Sequence, residues 1–299
     1  MLEGKSNWLY ILCIISISII SIAAFKKFVL RERKVENFTQ DGDFVVKDKE
    51  NMYDTFYLEH YDDIVKSDER VQFEVSRIIH TNPSMRESVM LDVGCGTCKL
   101  LSALATFGYR VYGVDKSPDV IQYSSQKYPD LEIKEGDVCT LMTYDKGLFT
   151  HITCMYFTIY EIDDKPTFIR NVYHWLQRGG YFIVHLADKD KFDMIAPCAK
   201  VRNDLIQEYS NERITDSKVL MPNYRYESSY KLTEMDVILH ETFTNKNGQI
   251  RKNVNQMHFM SKSDIVTMTE KIGFKFVDET NYATITGDNH QYICIFQKV

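Results

Sequence analysis

The chain has 299 residues, 44% of them hydrophobic and 26% charged, enough to bury one large core. Its net charge of −6 is unevenly placed: residues 1–34 hold six Lys/Arg against two Asp/Glu, so the other 265 carry −10. An acidic body of that kind argues against a nucleic-acid substrate, because it lacks phosphate-neutralising surface. Seven scattered cysteines, an odd number, fit a reducing compartment better than a disulfide framework.

Residues 8–25 form an uncharged run of 18, rich in Ile, Leu and Ser. As a helix it spans about 27 Å, close to the roughly 30 Å hydrocarbon core of a bilayer. Trp8 and Tyr10 stand at one end, and Lys26, Lys27, Arg31, Arg33 and Lys34 crowd the other. Residues 1–30 therefore read as a single-pass membrane anchor with a basic flank, which places the rest of the chain on the cytosolic side. A cleaved signal peptide would carry its charge before the apolar run, where only Lys5 stands. Residues 31–50, charged and short of large apolar side chains, read as a juxtamembrane linker.

From residue 51 onward the pattern is that of a folded α/β domain extending to residue 299. Tyr53, Tyr57 and Tyr61 recur every four residues, one face of a helix. A second helix is predicted over 68–80, followed by a break at Asn82-Pro83-Ser84. Strands and helices then alternate: strand 89–93, helix 97–107, strand 110–115, helix 117–127, strand 131–137, strand 149–155, helix 164–176 and strand 181–187. Arg178-Gly179-Gly180 supplies a tight turn before the last of these. Such alternation predicts a parallel sheet with helices on both faces. Residues 188–260 break the rhythm with a helical stretch near 197–210 and three extended stretches, 217–229, 233–244 and 249–260. They read as an inserted antiparallel meander, with Asn245-Lys246-Asn247-Gly248 turning its last hairpin. A helix over 261–272, with Ser261 or Ser263 as cap and Gly273 as stop, precedes strands 275–282 and 291–299.

Four features fall at the carboxyl ends of successive strands, where open α/β sheets bind ligands. After the first strand comes Asp92-Val93-Gly94-Cys95-Gly96-Thr97, whose glycines let a backbone approach a ligand where a Cβ would block it. Asp115, with Lys116 beside it, ends the second strand nineteen residues beyond Gly96, placed to accept from two vicinal ribose hydroxyls. Gly136-Asp137-Val138 follows the third, where a carboxylate and a backbone N–H can read an adenine edge. The aromatic run Met155-Tyr156-Phe157-Thr158-Ile159-Tyr160-Glu161 follows the fourth. Cys95 and Cys98 have no second pair at metal-ligand spacing, so no metal is expected.

This set resembles class I S-adenosylmethionine (SAM)-dependent methyltransferases. The resemblance implies a seven-stranded Rossmann-like sheet with its last strand antiparallel, and SAM as methyl donor. It also implies cofactor contacts at Asp92, Gly94, Cys95, Gly96, Asp115, Lys116, Asp137, Val138 and Met155. The leading tyrosine helix and the meander are similar to the small-molecule branch, which holds nucleotide-sugar N,N-dimethyltransferases and glycine N-methyltransferase. By that likeness Tyr53, Tyr57, Tyr61, Tyr160 and His258 are lid or substrate candidates. No sugar-nucleotide signature is evident, so the acceptor stays open, and a lipid-like one fits an anchored enzyme. His185, ending the fifth strand, is the candidate general base, its ring expected at the pocket mouth, with Tyr156 beside the reacting centre. Two other classes remain: a SAM-fold module that binds without catalysis, and a nicotinamide-dependent oxidoreductase. Against the latter, the third glycine of G-x-G-x-x-G is replaced by Lys99.

Overall fold

Strands buried on both faces write the larger sheet into the sequence. In β6 (Leu176–Ala187) the side chains alternate between two cores: Phe182 and Val184 join one, Ile183 the other. In β12 (Gln291–Lys298) Cys294 and Phe296 face the first core, while Ile293 and Ile295 face the second. Such strands read as continuous apolar runs because helices cover both sides. The computed structural model describes residues 44–81, 87–192, 196–199 and 215–299. The proposed anchor over 8–25 and most of the helical stretch near 197–210 lie outside the described residues. Among the described residues, no helix is long and apolar enough to cross a membrane.

Seven strands follow the order β11-β12-β6-β5-β2-β3-β4. They comprise β2 (Val89–Val93), β3 (Arg110–Asp115), β4 (Glu132–Glu135), β5 (Phe149–Cys154), β6, β11 (Phe274–Asn281) and β12. Strands β2 to β6 pair in parallel, while β12 runs antiparallel to both neighbours, β6 and β11. The order reverses at β2, which pairs with both β3 and β5, so the ligand crevice of a doubly wound sheet falls at its carboxyl end. This is the Rossmann-like α/β sheet expected from the alternation.

Local chemistry sets the helix boundaries. Ser117 caps Pro118–Lys127 by accepting the Val120 N–H, Asp164 caps Lys165–Trp175 through the Thr167 N–H, and Ser261 caps Lys262–Ile272 through the Asp264 N–H. Each such cap contributes roughly 1 kcal/mol. Pro118 occupies the first turn of its helix, where a missing N–H costs nothing.

The second sheet has five strands in the order β1-β10-β9-β8-β7, and here the sequence reading needs correction. The first extended stretch is two strands, β7 (Asp216–Leu220) and β8 (Tyr224–Leu232), because Met221-Pro222-Asn223 turns the chain and closes with Met221 N–H on Tyr224 O. Strands β9 (Asp236–Asn245) and β10 (Ile250–His258) form the expected hairpin. The fifth strand, β1 (Phe44–Asp48), comes from the segment read as linker and pairs in parallel with Ile250–Val254. Its side chains alternate exposed and half-buried, and its apolar run, Phe44-Val45-Val46, is only three residues long among charged ones, too short to announce a strand alone. Two more differences stand out. The Arg178-Gly179-Gly180 turn is absorbed into β6 as an irregularity between the Phe149–Leu176 and His151–Tyr181 pairs. Tyr53 precedes its helix, which runs Thr55–Ile64 behind the Asp54 cap.

Candidate active site

The turn after β2 is shaped by two left-handed glycines, Gly94 (φ 63°) and Gly96 (φ 52°). Gly94 and Cys95 donate their N–H groups to Val114 O at 2.8 and 3.2 Å, which docks the turn on β3. Thr158 fills the space a Cβ on Gly94 would need, whereas a Cβ on Gly96 would meet nothing nearer than Gly94 O at 3.9 Å. The free space at Gly96 opens onto a cavity of about 470 Å³ at the sheet's switch point. Asp115 lines that cavity with a carboxylate already oriented: Oδ2 accepts Gly96 N–H at 3.2 Å and Oδ1 accepts Ser117 N–H at 3.0 Å. Burial pushes its pKa up, and those two backbone bonds pull the other way.

Asp137, Val138 and Cys139 form the far wall of the same cavity. Asp137 Oδ1 accepts the Cys139 N–H at 2.8 Å, an Asx turn that fixes the carboxylate beside Gly136. Lys116 stands at the rim, exposed and paired with Glu50 at 3.3 Å, and Lys49 pairs with Asp163 at 3.0 Å on the same rim. The segment leading into the domain therefore crosses the cavity mouth.

Asp92, Cys95 and Met155 do not line this cavity. They border a recess beside it, of about 60 Å³, together with Arg70. Burial raises the Asp92 carboxyl to about 7, although Thr153 donates to it at 2.6 Å. The Cys95 thiol is pushed well up, first by its contact with Cys98 Sγ at 3.2 Å and then by burial. Arg70, which the sequence reading passed over, is the buried cation of this recess. Its Nη1 bonds Glu74 at 2.9 Å and its guanidinium lies 4.1 Å from the Tyr156 ring centre. Its buried Nε has no hydrogen-bond partner. An arginine in the second helix, Ser67–Thr81, one turn before Glu74, was the available signal.

Tyr156 and Phe157 both adopt left-handed backbone, φ 45° and 66°. Such strain in bulky residues is tolerated only where surrounding structure enforces it, often at a ligand site. Tyr156 borders the large cavity, the Arg70 recess and a third space of about 50 Å³, the aromatic chamber. Tyr53, Tyr61 and Glu161 also wall both the large cavity and the chamber. The tyrosine trio expected from its spacing does assemble, with ring centres 5.6 to 6.4 Å apart. Glu161 Oε1 accepts from Tyr53 Oη at 2.8 Å and from Asn255 Nδ2 at 2.7 Å.

Three expected residues lie elsewhere. His185 is buried under Tyr156, Phe157 and Tyr282 rather than at the pocket mouth. Its Nδ1 already accepts the Phe157 N–H at 3.1 Å, and burial followed by the Arg70 charge pushes its pKa down to about 3. Tyr160 is a core residue: its ring stacks on Phe259 at 3.6 Å and its hydroxyl accepts the Ala187 N–H at 2.8 Å. His258 pairs with Asp236 at 3.3 Å, outside the chamber, because strand alternation turns Asn255 and Met257 inward and the next residue away. Glu241, another residue passed over, is on the chamber wall. It was legible as the acid in the apolar register Val237, Leu239, Glu241, Phe243 of β9.

Comparison with known proteins agrees with this geometry. Residues 91–184 match the family model described as "Methyltransferase domain". A demethylmenaquinone methyltransferase of Chlorobaculum tepidum is 31% identical over 96 residues, 32% of this chain and 39% of that protein. The chain thus spans about two-fifths of the length of the curated relatives it matches. Among solved structures, the SAM-bound amino pentose methyltransferase CalS10 of Micromonospora echinaspora superposes with a TM-score of 0.60 at 16% identity, covering 84% of this chain and 99% of that one. The CcbJ methyltransferase of Streptomyces caelestis gives 0.63 at 15%, with the same coverage. The fold is that of the class I SAM-dependent methyltransferases. The segment carrying the glycine turn, Asp115 and Asp137 is the one that matches the methyltransferase domain family.

Proposed function

We propose that the chain is a SAM-dependent methyltransferase acting on a small-molecule acceptor, held at a membrane surface by residues 8–25. The observation that carries this reading is the shared wall. A cavity suited to a nucleoside and a separate aromatic chamber meet at Tyr53, Tyr61, Tyr156 and Glu161. A donor and an acceptor lodged on either side would face each other there, and holding two reactants in line supplies much of the acceleration of a displacement.

SAM fits the residues present. Asp115 would accept from the ribose hydroxyls and Asp137 from the adenine amine, while Gly96 lets the backbone approach. Arg70, the cation lining the adjoining recess, would meet the amino-acid carboxylate. The bound cofactor supplies the activated methyl group. The chain's own residues orient the acceptor and keep water out through the tyrosine wall and the rim pairs Lys49–Asp163 and Lys116–Glu50. The base role does not go to His185, which is buried and whose Nδ1 already accepts the Phe157 N–H; we assign it to Glu161 instead. Glu161 is the carboxylate at the shared wall and would take a proton where the acceptor carries one.

The test is incubation of the full chain in lipid vesicles with methyl-labelled SAM and fractionated metabolites and lipids. Label in a small-molecule fraction supports the reading. Binding of S-adenosylhomocysteine (SAH) without transfer to any fraction would make the chain a binding protein instead, and preference for NADH over SAH would reject the fold-based reading altogether. Glycan on Asn37 in a eukaryotic membrane preparation would contradict a cytosolic domain.

A further inference from the structure

The aromatic chamber has an unusual lining. Tyr53, Tyr57, Tyr61, Tyr156, Tyr226 and Tyr230 surround it, and two carboxylates, Glu161 and Glu241, stand in its wall. Among the described residues, no Lys, Arg or His lines it. Two arginines come near without lining it: Arg70 lies 4.1 Å from the Tyr156 ring centre and is bonded to Glu74, and Arg251, whose charge acts on Glu241, is engaged with both oxygens of Asp54 at 2.8 Å, with Asn253 and with Met52 O.

Glu241 is only 2% exposed, and its hydrogen bonds come from neutral donors, Tyr226 Oη at 2.7 Å, Asn253 Nδ2 at 3.3 Å and the Tyr57 hydroxyl. A buried acid facing an apolar space is costly unless something cationic joins it. Aromatic faces around that space attract a cation through their quadrupoles, an effect that grows as water is excluded. A volume of about 50 Å³ admits a group the size of a few waters, since one water needs roughly 10–15 Å³ on this scale.

We propose that this chamber receives a compact cationic amine bearing no phosphate, and that the acceptor atom is its nitrogen. The proposal rests on the methyltransferase reading above and names its substrate class. The same lining that holds an ammonium repels phosphate, so a nucleotide-linked amine is disfavoured. Glu241 anchors the charge within the chamber and Glu161 sits at the wall toward the methyl group. The bonds from Tyr53 and Asn255 both end on Glu161 Oε1, so neither occupies Oε2. A protonated amine gives its proton to Glu161, which passes it to water. The free nitrogen pair then forms the N–CH₃ bond as the C–S bond breaks, and that bond's electron pair stays on sulfur as a neutral thioether. The positive charge moves from sulfur to nitrogen, among the tyrosine rings.

The test separates charge from shape. Choline and its neutral carbon isostere 3,3-dimethyl-1-butanol are titrated into the full chain saturated with SAH. Choline is expected to bind at least tenfold tighter, and Glu241→Gln and Glu161→Gln each to erase most of that preference, with SAH affinity held in Glu241→Gln, whose side chain lies outside the SAM cavity. Equal binding of the two probes, or binding of neither by a chain that does bind SAH, overturns the amine proposal and leaves the methyltransferase reading standing. Failure to bind SAH overturns both. Should Glu241→Gln not fold, the wild-type comparison and Glu161→Gln still decide.

Discussion

The backbone N–H of Gly96 donates to Asp115 Oδ2 across 3.2 Å, tying the turn after β2 to the end of β3. One carboxylate thus holds the turn and faces the cavity it encloses. Asp115→Asn replaces that acceptor with an amide and removes a charge-assisted bond. Such bonds contribute about 1.5–3 kcal/mol, so the KM for SAM is expected to rise roughly 10- to 100-fold, with a smaller change in kcat, in steady-state assays.

Gly94 answers to Thr158 as well as to its own φ of 63°. Gly94→Ala adds a methyl where the Thr158 side chain already sits and places it on left-handed backbone. Unfolding in urea is expected to report a loss of about 2–4 kcal/mol. Thr158→Ala in the same chain should recover the steric part and leave the conformational part, about 1–2 kcal/mol. Recovery of everything, or of nothing, would refute this division.

Asp92 sets a pH dependence. Its folded value of about 7 lies above its unfolded value near 3.8, so the native state holds the proton longer. Stability is therefore expected to fall as pH rises from about 4 to 7, by up to about 1.4 kcal/mol per pH unit. Asp92→Asn should remove that slope and raise the midpoint of thermal unfolding at pH 8, with little effect at pH 4.

His185 behaves in the opposite sense. Its folded value of about 3 lies below its unfolded value near 6.5, so the unfolded chain takes the proton first and stability drops as pH falls below about 6.5. His185→Gln should flatten that acid limb. The midpoint of the kcat/KM profile between pH 6 and 9 is expected to stay where it is, and its disappearance would restore His185 as the base.

Much of this was legible in the chain. The limits of β2 and β3 fall at the residues the apolar runs indicate, because both faces of those strands are buried and turn chemistry brackets them. The cavity-lining glycines and Asp115, Asp137 and Val138 were legible for the same reason: they follow strands whose ends face the switch point. Side-chain direction was not. His185 and Tyr160 follow or end apolar segments just as Asp115 does, but their rings turn into cores that only tertiary packing defines. Strand β1 was hidden because it pairs with β10, about 200 residues away, and makes no local pattern. Arg70 and Glu241 left only faint signals, a helix position one turn before Glu74 and an acid in an apolar strand register, because a buried charge is the same letter in sequence as a solvated one.

The central claim is that the cavity beside Gly96, Asp115 and Asp137 receives SAM. Calorimetric titration of the full chain with SAH tests it most directly. Saturable one-to-one binding is expected, weakened at least tenfold by Asp115→Ala and not displaced by NADH. Absence of binding heat from the folded wild-type chain, or affinity unchanged in Asp115→Ala, would contradict it.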